Sequence, residues 1–191
     1  MTKIIALAGS LKNQSVNKRL VLIAAKAAEQ AGVEVQYLDL ADFNIPLFSE
    51  DLEAEGTPAN VNDLKALFAG SQGILLATPE YNGSISGVLK NAIDWLSRPS
   101  NTSSDIGSAF HGKVVGLMAA SPGGLGGIRG LSHTRDILFN LGAIISPGQL
   151  ALPSAYAAFD EQGQLVDSTM AERVQQLAQE VSRLATAINA T

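Results

Sequence analysis

The stretch Gly9-Ser10-Leu11-Lys12-Asn13-Gln14-Ser15-Val16-Asn17 gathers hydroxyls, side-chain amides and one cation directly ahead of a segment with helical periodicity. The unpaired N–H groups of a helix N-terminus, beside such side chains, suit a phosphate monoester. The Gly-Lys-Ser/Thr ending of a Walker A loop is missing, so this is not a P-loop. Ser15 or Asn17 would serve equally as an ordinary helix cap. On residue types alone, both uses stand open.

Two further loops carry similar potential. Thr78-Pro79-Glu80-Tyr81-Asn82-Gly83-Ser84-Ile85-Ser86-Gly87 holds one proline and two glycines. A backbone so constrained can turn its N–H and C=O groups toward a planar polar heterocycle, with Tyr81 lying against it. Its plainer reading is a long turn between a strand and a helix. Ser121-Pro122-Gly123-Gly124-Leu125-Gly126-Gly127 offers bare backbone. It fails the dinucleotide pattern G-x-G-x-x-G, because Arg129 stands where the third glycine would follow Gly124-x-Gly126. Close approach to a ring, or simple helix initiation, are its remaining uses.

Composition removes other chemistries. There is no cysteine, hence no disulfide, thiolate nucleophile or thiolate metal site. The two histidines, His111 and His133, lie outside the three loops and read as surface residues, and no metal is expected. Lys and Arg number 13 against 18 Asp and Glu, a net charge of -5 without a basic stripe, which argues against nucleic acid as a partner. The opening run Ile4 to Ala8 ends at Gly9, too short for a signal peptide core or a membrane span. The expectation is a cytoplasmic protein with no membrane partner.

Something must hold the loops together. Ile4 to Ala8, Ile74 to Ala77 and Val114 to Ala120 are unbroken apolar runs apart from one glycine, as expected of parallel strands covered on both faces. Val33 to Tyr37 alternates, as at a sheet edge. A fifth short strand is placed between Ala143 and Leu152. Helical periodicity runs over Asn17 to Ala31, about Ala59 to Ala69, Gly87 to Leu96 and about Gly126 to Leu141. A final stripe, Met170, Val174, Leu177, Val181, Leu184 and Ile188, marks a last sheet-packing helix. Ala41 to Pro58 and Ser97 to Ser108 read as surface excursions. The 46% hydrophobic chain of 191 residues suffices for one core, so a single α/β domain over residues 1–191 is expected. It is a three-layer sandwich on a five-stranded parallel sheet of order 2-1-3-4-5. A ligand then sits beyond the carboxyl ends of the first and third strands, where the connections part to opposite faces.

Pro79 to Ser84, followed by Gly87-Val88-Leu89-Lys90-Asn91-Ala92-Ile93-Asp94-Trp95, together with the first and third loops, resembles the flavodoxin-like family of NAD(P)H-dependent FMN reductases, which includes quinone, azo-dye and chromate reductases. The resemblance spans nearly the whole chain. It implies a flavodoxin-like FMN-binding domain in which Ser10, Lys12, Ser15 and Asn17, with Val16 among them, hold the FMN phosphate. It further implies that Pro79, Glu80, Tyr81, Asn82 and Gly83 frame the ribityl chain and ring, and that Ser121, Gly123 and Gly124 flank the ring.

The activity so implied is transfer of two electrons from NADPH or NADH to small-molecule acceptors (quinones, flavins, azo compounds or metal oxyanions) by a ping-pong mechanism. No side chain is nominated as catalytic, and Glu80 and Tyr81 are the polar groups placed to shape the substrate pocket. FAD is expected to bind more weakly than FMN. The alternative is a flavodoxin-type electron carrier without turnover, whose threonine-rich loop and strongly acidic surface are absent here. Two departures from the family stand out: Lys12 for a common arginine, and Ser86 for a common proline, which would loosen the turn. Arg129 and Arg135 read as a solvated helix face or as contacts to a dinucleotide phosphate. On the helix from Gly87, Trp95 falls at the margin of the apolar stripe, where it would either cover the edge of its own core or pack against a second chain, and the resemblance implies a homodimer or homotetramer with the segment Pro99 to Ser108 beside that chain.

Overall fold

The computed structural model describes residues 1–99 and 109–188. Six of its strands align in parallel, led by β1 (Lys3–Ala8), followed by helix α1 (Val16–Gln30) and strand β2 (Glu34–Asp39). After a 3-10 turn at Leu40–Phe43 come α2 (Glu50–Glu55), α3 (Ala59–Ala69), β3 (Gly73–Ala77), a hairpin of β4 (Glu80–Tyr81) and β5 (Ser84–Ile85), and α4 (Gly87–Leu96). The chain then runs through β6 (Val114–Ala120), α5 (Ile128–Asn140), β7 (Ile144–Ile145), β8 (Leu150–Leu152) and α6 (Ser168–Ile188).

The main sheet has the order β2-β1-β3-β6-β7, with β8 also pairing β6, and every pairing is parallel. This is the flavodoxin-like order, and the class is as expected. The strand count differs: the fifth position is divided, because β7 pairs the start of β6 and β8 pairs its end. Between them stands Ser146-Pro147-Gly148-Gln149, where a proline without an N–H cannot continue the ladder.

The continuous apolar runs are explained by the two cores. Ile4, Ala6 and Ala8 of β1 pack with α1 and α6, while Ile5 and Leu7 point oppositely to α3 and α4. Each buried Ile or Leu gains roughly 1.5–3 kcal/mol by leaving water. On β6, Gly116 lets α6 approach, since a Cβ there would stand 2.7 Å from Val181 Cγ2. At the edge, β2 is only half-buried, in keeping with its alternation. The stripe of α6 buries Val174, Leu177 and Val181, but Ile188 at its end is exposed.

One sequence expectation is corrected on α4. Trp95 is not marginal but buried, its Nε1–H donating to the Pro46 carbonyl at 2.9 Å and its ring meeting Phe48 edge-on at 4.9 Å. Asn91 seals the same segment, accepting from the Phe48 N–H and donating to Pro46 O. The excursion from Ala41 therefore folds back over α4, and the tryptophan has no free face for a second chain. Residues 100–108, read as part of a subunit contact, lie outside the described residues. Trp95 emission should be blue-shifted and insensitive to protein dilution, and Trp95→Phe should cost about 1–3 kcal/mol in urea unfolding. A red-shifted, concentration-dependent spectrum would contradict this packing.

Candidate functional site

The loops after β1, β3, β6 and β8 converge at the carboxyl edge of the sheet, on both sides of the switch between β1 and β3. They border a solvent-open cleft of about 120 Å³. Its floor is the start of α1. Ser15 caps this helix, its Oγ accepting from the N–H groups of Asn17 and Lys18. The helix begins at Val16, one residue before the expected start, and the Val16 N–H is an unpaired terminal donor. The Ser15 hydroxyl proton stays available to an anion, because the cap uses only the oxygen as acceptor. Ser10 is buried and accepts from the Lys12 N–H, whereas the Lys12 side chain is exposed.

Asn17 has a structural part as well. Its amide pairs with the backbone of Ala120, donating to the carbonyl at 2.9 Å and accepting from the N–H at 2.8 Å. The side chain therefore fastens α1 to the end of β6 at the floor of the cleft. Ser86 makes the corresponding link to the second loop. It is buried, caps α4 by accepting from Leu89 N–H, and donates to Gly9 O at 2.6 Å. The departure from proline thus does not loosen this turn. Gly9 is required there, since a Cβ would come within 2.8 Å of Leu89 Cβ.

The second loop is a hairpin, not a long turn. Asn82 and Gly83 take φ of 53° and 77°, the left-handed pair of a two-residue β-turn, a signal legible in the dipeptide Asn-Gly itself. The hairpin is docked onto α5. The Glu80 carboxylate, with its side chain only 7% exposed, accepts from the N–H groups of Arg129 and Gly130 and from the Arg129 guanidinium. Burial alone would raise the Glu80 pKa, but the bonds from Arg129 and Gly130 reverse the balance and hold it below the usual carboxylate value. His133, exposed on α5, bonds Ser84 Oγ at 2.9 Å, so it belongs to this contact although it lies outside the loops. Of the two polar groups expected in the substrate pocket, only Tyr81 is free to serve: it is exposed, while the Glu80 carboxylate is committed. Arg129 is likewise committed, and Arg135 pairs with Asp136 at 3.1 Å.

In the third loop the glycines divide. Gly126 and Gly127 have positive φ, and a Cβ on either would stand 2.8 Å from protein atoms, so their bareness serves packing and delays α5 to Ile128. Gly124 has open space where a Cβ would be, and Gly123 has only Ser121 Oγ at 3.8 Å. These two can admit a ring. Ser10, Lys12, Ser15, Val16, Asn17, Pro79, Glu80, Tyr81 and Ser121 line the cleft, with Asn82 and Gly83 on the hairpin tip. Sequence reasoning missed Tyr156, which follows β8 and places its ring 5.7 Å from Lys12 Nζ. Its position after a strand terminus at the switch edge was the available signal. His111 is exposed. Among the described residues no group of three or more His, Asp or Glu could hold a metal ion, and no helix is long and apolar enough to cross a membrane.

Comparison with known proteins bears on this cleft. The profile of NADPH-dependent FMN reductases matches residues 2–157. The chain is 36% identical over 178 residues to an NAD(P)H-dependent FMN reductase of Pseudomonas aeruginosa, covering 93% of this chain and 91% of that one. It is 34% identical over 183 residues to an NADPH:quinone oxidoreductase of Arabidopsis thaliana, covering 93% and 88%. Among solved structures, the flavoenzyme NAD(P)H:(acceptor) oxidoreductase of Paracoccus denitrificans superposes with a TM-score of 0.82 at 26% identity, covering 98% of each chain.

The Glu80 contact has a measurable signature. A carboxylate whose pKa is depressed by folding stabilises the protein above its unfolded pKa and loses that contribution as pH falls through the folded value. Glu80→Gln should cost about 1–2 kcal/mol at neutral pH. The gap from the parent should stay constant down to the ordinary carboxylate range and close under more acidic conditions. Urea midpoints across pH provide the check, and a gap that widened on acidification would contradict the assignment.

Proposed function

The chain belongs to the NADPH-dependent FMN reductase family and is an oxidoreductase of that family, and from this premise we propose that its cleft binds FMN and serves the reduction of small-molecule acceptors by NADPH or NADH. The observation that carries the assignment is the pairing of the α1 N-terminus, where the Ser15 cap leaves the Val16 N–H and its own hydroxyl proton unused, and one exposed cation, Lys12, with two glycines of the third loop, one with open space and one with only ordinary contact in the Cβ direction. The first suits a terminal phosphate; the second suits the edge of a flat ring. The residues present therefore fit the cofactor.

In this reading the Val16 N–H, the Ser10 and Ser15 hydroxyls and Lys12 hold the phosphate, while Asn17 supports them from below. Pro79 to Gly83 and Ser121, Gly123 and Gly124 border the ring through their backbone. FMN supplies the two-electron hydride chemistry when bound. What the chain contributes is orientation, oriented backbone dipoles and positive potential, because the carboxylate nearest the cleft is neutralised by Arg129. No side chain is required as a proton donor. The domain over residues 1–191 acts as one unit, in the cytoplasm, as a homodimer or homotetramer. The open side of the cleft, beside the exposed Tyr81, receives donor and acceptor in turn. Quinones, free flavins, azo compounds and metal oxyanions are the acceptor classes that need no more than access to that face.

Purified protein should carry FMN and oxidise NAD(P)H rapidly only when a quinone is present; a carrier protein would stay nearly inert without a separate reductase. Initial rates should give parallel double-reciprocal lines, and intersecting lines would contradict shared use of one face. Lys12→Ala should weaken FMN binding by about 1.5–3 kcal/mol and leave riboflavin almost unaffected. Equal losses for both would show that Lys12 does not meet the phosphate.

A further inference from the structure

Tyr156 lines the cleft beside Lys12. It lines the same space as Ser10, Lys12 and Ser15, and its ring faces the Lys12 ammonium at 5.7 Å. The ring is 71% exposed, so core packing does not require an aromatic there. A cation over an exposed ring gains little in water. Yet the backbone on either side of it is hydrogen-bonded. The Ala155 N–H donates to Ser121 O at 3.1 Å, the Ser154 N–H to Gly123 O at 3.4 Å and the Ala157 N–H to Ser154 O at 2.9 Å. Ser154 itself adopts φ of 49°, an uncommon conformation for a residue other than glycine. A strained turn bonded to the third loop thus presents Tyr156 to Lys12, although the fold gains almost nothing from the contact.

We propose that Tyr156 is a specificity-determining residue, which confines the cleft to ligands ending in a phosphate monoester and excludes those that continue through a pyrophosphate into a second nucleotide. The inference rests on the reading that the FMN phosphate lies at the α1 N-terminus. A terminal dianion can use the Val16 N–H, the two serine hydroxyls and Lys12 together. A pyrophosphate carries less charge on the same phosphorus, and its adenosine has to leave the cradle past Lys12. The Tyr156 ring stands on that side, beside the ammonium, and narrows the exit by its bulk. Without the ring, the exit widens.

The test is competitive retention on the full-length protein. The parent, Tyr156→Ala, Tyr156→Leu and Tyr156→Phe are each equilibrated with equimolar FMN and FAD, and in parallel with equimolar FMN and riboflavin. Unbound flavin is removed, and the bound flavin is released by heat and quantified. The proposal expects the bound FAD:FMN ratio to rise at least tenfold in Tyr156→Ala, to rise less in Tyr156→Leu, and to stay within twofold of the parent in Tyr156→Phe. A general structural role would weaken all flavins alike and leave the ratio unmoved. An unchanged ratio in both Ala and Leu variants overturns the proposal, as does a lower one, which would mean that the ring stacks on the adenine. If the parent retains riboflavin as well as FMN, the phosphate assignment itself fails. If the parent prefers FMN to both competitors and the variants keep its FAD:FMN ratio, only the role of Tyr156 fails.

Discussion

The pair of hydrogen bonds between the Asn17 amide and the backbone of Ala120 is the fastening on which the cleft depends. Ala120 is the last residue of β6, where the parallel ladder runs out and the backbone would otherwise need new partners. Asn17 supplies them from the first turn of α1, and both residues are buried. Leaving either side unmade would strand polar groups away from water, at roughly 1–3 kcal/mol each. Ser86 repeats the device between the second loop and Gly9, and Gly9 N–H also reaches Ala77 O at 2.9 Å. Three loops from distant parts of the chain are thereby set relative to one another before any ligand arrives. That is the preorganisation an anion site needs, because donors that must first be reoriented lose much of their advantage.

Charge is managed with the same economy. The chain carries a net charge of -5, yet the carboxylate that lines the cleft is paired, as is the one at the end of β2. Glu80 is held by Arg129, and Asp39 at the end of β2 is met by Lys18 at 2.5 Å, a lysine itself buried in α1. The exposed Lys12 and the helix end then set the local potential. Away from the cleft, a second polar knot anchors the end of α4. Buried Lys65 donates to the carbonyls of Arg98 and Pro99 at 3.2 Å, and Arg98 pairs with Glu53 at 2.8 Å. The bond from Arg98 holds the Glu53 pKa down, while burial lowers that of Lys65. Both knots use one principle: a carboxylate or ammonium withdrawn from water is surrounded by several partners rather than one.

Elements that depend on local pattern were legible in the residues. Ile4 to Ala8 and Val114 to Ala120 read as doubly covered strands because an unbroken apolar run leaves no face for water, and the alternation of β2 placed it at the edge. The residues of the first loop announced an anion site because donor chemistry ahead of a helix is contained in about nine consecutive positions. The Asn-Gly turn was equally local, and it passed unread only because a flanking strand of two residues has too little periodicity to stand out.

What tertiary structure alone decided is where each polar group spends its bonds. Asn17 could equally have faced only a ligand, Glu80 the substrate pocket and Trp95 a neighbouring chain. They bond Ala120, α5 and the Pro46 carbonyl, and Tyr156 reaches Lys12 from beyond the last strand. Periodicity over five to ten residues records which face of an element is buried, because burial follows the geometry of that element. A hydrogen bond between residues a hundred positions apart leaves no comparable trace. Its partner is set by how the sheet order, the crossovers and the loop lengths bring distant backbone together, and the side chain that answers it looks the same in sequence as one that answers water.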